Sequence, residues 1–130
     1  MVEDEQNFRE GQNFEYGRNG VSRDETRARF LYEVAAARGQ HPAAIMSVAG
    51  FYLEGFGGLT EDHDRAIELY QQAADLGSAE AEFQLGSLYL GWGEYDDAER
   101  WLLRSLQSGY LDASRLLEEC RSLNEPDYDS

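Results

Sequence analysis

A chain of 130 residues with 42 % apolar and 12 % aromatic content can bury the core of one domain and is too apolar for wholesale disorder. Its 26 carboxylates face 11 cations, every one of them arginine, for a formal net charge of −15. Such a surface repels phosphate backbones and anionic bilayers, which sets nucleic acid and membrane aside as partners. It leaves two readings open: solubility alone, or electrostatic steering of a basic protein.

Hydrophobic periodicity predicts seven helices, over 3–16, 22–38, 42–54, 62–76, 79–90, 95–108 and 111–123. The first is irregular, with Gly11 and Phe14 on its apolar side and Glu10 in an apolar slot. A loop follows, Gly17-x-x-Gly20-Val21-x-x-Asp24, in which Gly17 suits a C-cap, Gly20 a tight turn, Val21 an apolar plug and Asp24 an N-cap. The second helix reads Ala28-x-x-Leu31-Tyr32-x-x-Ala35-Ala36 and stops at Gly39. His41-Pro42 opens the third, with proline at N1; its pattern is Ala44-x-x-x-Val48-Ala49-Gly50-Phe51-Tyr52.

From there the chain repeats itself. Gly55-x-x-Gly58-Leu59-x-x-Asp62 copies the first loop 38 residues on, and Ala66-x-x-Leu69-Tyr70-x-x-Ala73-Ala74-x-x-Gly77 copies the second helix at the same offset. Ala81-x-x-x-Leu85-Gly86-Ser87-Leu88-Tyr89 copies the third helix. The next loop shrinks to Gly91-Trp92-Gly93-Glu94-Tyr95, and Ala98-x-x-Trp101-Leu102-x-x-Ser105-Leu106-x-x-Gly109 closes the third unit. The last helix keeps Ala113 and Leu117 but puts Glu118 and Arg121 in the small and aromatic slots, as a terminal cap with a charged outer face requires. The tail 124–130 is polar and broken by proline.

Repeats of 32 to 38 residues mean stacked helical hairpins. The motif of Ala-x-x-x-Leu-Gly-x-Leu-Tyr, a Gly-rich loop with Val and Asp, then Ala-x-x-Leu-Tyr-x-x-Ala-Ala-x-x-Gly resembles the Sel1-like repeat, a relative of the tetratricopeptide repeat. The resemblance covers about residues 8–120 and is strongest from Ala44 to Gly91. It implies an all-α, right-handed solenoid of about three antiparallel helix pairs plus a capping helix. The expected organisation is one domain over 1–123, with units near 3–39, 42–77 and 79–109 and a cap over 111–123. Some secreted members carry a cysteine pair in each repeat; this chain has Cys120 alone, which makes that branch a poor match.

Chemistry-bearing residues are sparse. Cys120 sits at an apolar-periodic position beside Glu118 and Glu119, which fits a buried structural thiol rather than a nucleophile. His63, in Glu61-Asp62-His63-Asp64, belongs to a run whose side chains cannot all meet one ion. Gly55-Phe-Gly-Gly58 lacks the following Lys-Ser/Thr of a phosphate loop. No enzyme activity, metal or cofactor is expected. The acidic opening Met1–Glu5 is unlike a signal peptide, and no run approaches the roughly 20 apolar residues of a membrane span; a cytoplasmic location follows as the expectation.

In arrays of this kind the first helix of each pair lines the concave face, so the resemblance puts a partner there. Phe8, Met46 and Phe83 then form one row, Gln12, Gly50 and Ser87 the next, and Leu53 and Leu90 a third alongside Glu15, with Tyr16 and Glu54 at the rim. The first row is either a groove floor or inter-helix core. Trp92, between two glycines, is either a lid on the hairpin or an exposed anchor. The reading is a protein-interaction module, monomeric or weakly dimeric, that holds a basic segment. The alternative is an immunity-type inhibitor masking the cationic site of a toxin or nuclease.

Overall fold

The computed structural model describes residues 2–126. Seven helices follow one another: α1 (Val2–Tyr16), α2 (Glu25–Ala36), α3 (Pro42–Glu54), α4 (His63–Asp75), α5 (Ala79–Gly91), α6 (Tyr95–Gln107) and α7 (Ala113–Asn124). The described residues contain no strand. Contacts divide the chain into two compact units, Met1–Leu76 with α1 to α4 and Gly77–Ser130 with α5 to α7. Asn124 closes α7; residues 127–130 of the expected tail lie outside the described residues.

Within the first unit α1 packs on α2, α2 on α3, and α3 on α4; in the second, α6 packs between α5 and α7. The packing is close because the facing side chains are small. Ala28, Ala35, Ala44, Ala49, Ala66 and Ala73 are fully enclosed in the first unit, and Ala81, Ala98 and Ala113 in the second. At two positions even a methyl is excluded. A Cβ on Gly11 of α1 would lie 2.7 Å from Cε1 of Tyr32, and one on Gly86 of α5 would lie 2.6 Å from Leu102. In these two pairs, α1 with α2 and α5 with α6, a large side chain from the second helix occupies the space that a glycine on the first helix vacates.

The long loop is built twice in the same way. The chain leaves α3 through Gly55 at φ +69°, and the equivalent Gly17 has φ +65°, a conformation that costs a residue with a Cβ far more than glycine. Asp24 N donates to Phe14 O and Asp62 N to Tyr52 O, both at 2.8 Å. Each aspartate then accepts from the N–H three residues ahead, Arg27 and Arg65, at 3.0 Å. Val21 and Leu59 are half-buried in the loop. Gly20 and Gly58 likewise hold positive φ, as do the helix stops Gly39, Gly77 and Gly109.

Because Asp24 is itself extended, α2 begins at Glu25, three residues later than periodicity predicts. At α7 the chain from Leu111 forms a turn, and the helix proper starts at Ala113. The third unit replaces the aspartate cap with Glu94, which makes no side-chain capping bond.

Two stability consequences follow. Asp62→Ala should cost about 1 kcal/mol through the lost cap, whereas Glu94→Ala should change stability by less than about 0.5 kcal/mol; urea unfolding of both variants checks the contrast. Gly86→Ala should destabilise by about 1–3 kcal/mol through overpacking against Leu102, despite alanine's better helix propensity. Gly50→Ala, where a Cβ would meet only the Tyr70 hydroxyl at 3.7 Å, should be neutral or stabilising by up to about 1 kcal/mol.

Candidate protein-docking surface

The first-helix residues of the first unit are held to different degrees. Phe8 is half-buried, its ring 5.6 Å from that of Tyr32 and 4.9 Å from that of His41. Gln12, Met46, Gly50 and Leu53 are also half-buried. Tyr16 and Glu54, at the ends of α1 and α3, are exposed. The Arg18 guanidinium stands 4.7 Å from the Tyr16 ring centre. Partial burial and the neighbouring Glu15 charge raise the Tyr16 phenol above its ordinary value.

Near Tyr16 the surface opens into a cleft of about 320 Å³, lined by Glu15, Tyr16, Arg23, Glu25, Phe51 and Phe56. Phe56, from the loop after α3, is 44 % exposed and rests edge-on against the buried ring of Phe51 at 6.3 Å. Glu15 is fixed by Tyr32, whose hydroxyl donates to its Oε1 at 2.5 Å. Burial, then that hydrogen bond, drives the Tyr32 phenol far above its ordinary value. The cleft thus combines aromatic faces with a carboxylate whose position is set from below.

In the second unit Phe83 and Leu90 are half-buried against a core of Ala98, Leu102, Ala113, Leu117 and Cys120. The Phe83 ring lies 4.8 Å from Tyr110. Ser87 is half-buried. Trp92 packs edge-on against Tyr89 at 5.8 Å and keeps 40 % of its surface exposed. Cys120 is buried, its thiol donating to Tyr95 O at 3.3 Å; burial, then the charge of Glu99, pushes it upward and away from thiolate. Among the described residues no three His, Cys, Asp or Glu side chains gather as a metal site, and no helix is long and apolar enough to cross a membrane.

The family model of the Sel1 repeat matches residues 9–40, 42–78 and 79–110. This chain belongs to the Sel1-repeat family. It is 31 % identical over 121 residues to chitin synthase regulatory factor 4 of Schizosaccharomyces pombe, covering 92 % of this chain and 19 % of that protein. It is 32 % identical over 116 residues to an exopolysaccharide production negative regulator of Rhizobium meliloti, covering 77 % of this chain and 43 % of the relative. The chain therefore spans less than half of either curated relative.

Solved structures carry the same fold. A protective antigen of uropathogenic Escherichia coli displaying an SLR fold superposes with a TM-score of 0.80 at 24 % identity, over 94 % of this chain and 26 % of that one. A Sel1 repeat protein from Oxalobacter formigenes gives a TM-score of 0.75 at 24 % identity, over 88 % and 46 % of the two chains. The architecture is an all-α solenoid of Sel1 repeats.

Several polar contacts have no signal in the repeat pattern. His41 is the N-cap of α3: its Nδ1 accepts from Ala44 N at 3.0 Å, which places the ring proton on Nε2, facing Glu5 Oε2 at 2.8 Å. Glu82 is buried, accepting from Ser108 Oγ at 2.9 Å and pairing with Arg104 at 3.2 Å. Ser105 Oγ donates to Ala79 O at 2.8 Å. The His41–Glu5, Ser105–Ala79 and Ser108–Glu82 contacts join residues at least 26 apart in sequence, so short-range periodicity does not report them.

Glu5 yields a pH prediction. The hydrogen bond from His41, then that from Arg9, lowers its carboxyl below the ordinary 4.5. A depressed folded value means that the contribution is present above about pH 4.5 and is lost as pH falls through the folded value. Glu5→Gln should therefore lose less melting temperature than the parent chain between about pH 5 and pH 3, measured by circular dichroism melts of both proteins.

Proposed function

We propose that this chain is a non-catalytic protein-docking module that captures a basic segment of another protein at the rim of the α1 and α3 ends. The observation that carries this reading is the cleft of Tyr16, Phe51 and Phe56 edged by Glu15 and by the Arg23–Glu25 ion pair. The exposed rings of Tyr16 and Phe56 beside carboxylates suit an arginine- or lysine-bearing segment with an apolar anchor, the ring faces attracting the cation and the carboxylates pairing with it. The net charge of −15 adds a long-range field that accelerates encounter with such a segment.

Within the expected docking set, Tyr16 and Glu54 supply exposed rim contacts, with Gln12, Gly50 and Leu53 behind them. Phe8 and Phe83, clasped by rings of their own unit, support the surface more than they contact a partner. Met46 belongs to the same unit, while Ser87, Leu90 and Trp92 are candidate contacts of the second unit taken by itself. Repeat solenoids act through extended surfaces of this kind, and relatives named as regulators are consistent with a part that works by holding another protein. A cytoplasmic setting fits the lone thiol Cys120.

The test is titration of the isotope-labelled chain with an arginine-rich peptide carrying one leucine anchor, followed by amide chemical shifts at low salt and at about 0.5 M salt. Shifts should centre on residues 15–25 and 51–57, the affinity should fall steeply with salt, and Tyr16→Ala/Phe56→Ala should weaken binding at least about tenfold. Shifts confined to α7 or to residues 91–95, or equal binding of a glutamate-rich peptide, would overturn the assignment.

A further inference from the structure

We propose that the outer face of the first helix pair, centred on Phe30 and Val34, is a self-association surface on which two copies of this chain close into a weak two-fold dimer. Phe30 is 64 % exposed and Val34 45 % exposed, one turn apart on α2. Phe30 borders an open basin of about 540 Å³ lined also by Glu10, Phe14, Arg27 and Leu31 among others. The Arg27 guanidinium lies 5.2 Å from the Phe14 ring centre and so flattens the floor.

The internal repeat says what such a face does. Shifted by 38 residues, Glu10, Phe14, Arg27, Leu31 and Val34 become Val48, Tyr52, Arg65, Leu69 and Gln72. Those five residues border a cleft whose other wall is α2, through Glu33, Ala36 and Ala37. In the second repeat this face is thus a helix-stacking face, with Val48 and Leu69 buried to 6 % exposure. In the first repeat the same register is open among the described residues.

The residues at its margin have changed in the direction opposite to solvation. Where the second repeat has Glu68 and Gln72, and the third Arg100 and Arg104, the first has Phe30 and Val34. Glu10 and Asn13, on α1, are by contrast more polar than their counterparts Val48 and Phe51. The result is an apolar patch on α2 with carboxylates and Arg27 around it, not a face made uniformly polar.

A second copy is the occupant that this chain's own surfaces favour. The α7 end carries Arg115, Glu118, Glu119 and Arg121 beside the exposed leucines Leu111 and Leu123, so a head-to-tail contact is the rival arrangement, which growth beyond two subunits would reveal. The open face matches itself: Arg27 stands beside Glu10 and Asp24 in one basin, and a two-fold can set each cation against a partner carboxylate around a shared Phe30–Val34 centre. Such an isologous contact closes at two subunits. Four apolar side chains make it smaller than the roughly 800 Å² per partner of standard interfaces, hence weak. Two bodies of −15 each repel, so added salt strengthens the dimer, the reverse of its effect on capture of a basic segment.

The experiment is sedimentation velocity on the whole chain at low salt and at about 0.5 M salt, across about 10 µM to 1 mM, where so small an interface should dissociate. The mass should rise toward twice the monomer, more completely at high salt. Phe30→Gln/Val34→Gln, charge-neutral and carrying at 34 the residue of the second repeat, should weaken association at least about tenfold while leaving the melting temperature of dilute protein unchanged. A chain that stays monomeric to the top concentration at both salts, a variant that dimerises as well as the parent, or growth beyond two subunits would each overturn the proposal.

Discussion

The distance between paired helices is the constraint from which the rest of this structure follows. Helices meet here over alanine and glycine, and at Gly11 and Gly86 the gap is too narrow for a methyl group. At those two points the backbones are too close for a side chain on the first helix, and the second helix fills the space with Tyr32 across Gly11 and Leu102 beside Gly86. Well-filled seams of this kind lose dispersion contacts if the helices part and suffer overlap if they approach. That narrow tolerance also explains the loops, whose glycines, plugs and aspartate caps must return the chain at a fixed spacing.

One consequence reaches the proposed docking cleft. Tyr32 is fixed by Gly11 beneath it and by Phe51 edge-on at 5.7 Å, and its hydroxyl in turn fixes Glu15. The seam therefore positions a surface carboxylate through a single buried ring. A rim built in this way holds its charge in place before any partner arrives, and less ordering entropy is lost on binding.

How much of this was legible in the amino-acid order depends on the range of each interaction. The helices, the duplicated loop and the caps at Asp24 and Asp62 arise from neighbours within about four residues, and the pattern displays them. The glycine stops were legible for the same reason. The His41–Glu5 pair, the Tyr32–Glu15 bond and the burial of Glu82 under Ser108 join residues 17 to 36 apart, so no local spacing announces them. The proposed docking set mixes both kinds. Tyr16 and Glu54 were readable as helix-end positions, while Phe56 and Glu25 enter the cleft only because the loop folds back. Phe30 and Val34 were visible all along as departures from Glu68 and Gln72, but their meaning required knowing that the equivalent face of the second repeat is covered.

The charge, finally, is separable from the fold. Of the 11 arginines, Arg9, Arg23, Arg29, Arg38, Arg65, Arg100, Arg104 and Arg121 stand in ion pairs, and Arg18 and Arg27 lie over rings. Most of these pairs are solvent-exposed, where each contributes about 0–1 kcal/mol, so they do not hold the helices together. Their effect is to quench the positive charge locally and leave the carboxylate excess as the field that other molecules meet. A fold held by alanine seams can carry such an excess, because its stability rests on packing that salt and surface charge barely touch. The acidity is then free to set which partners approach and at what ionic strength two copies of this chain tolerate each other.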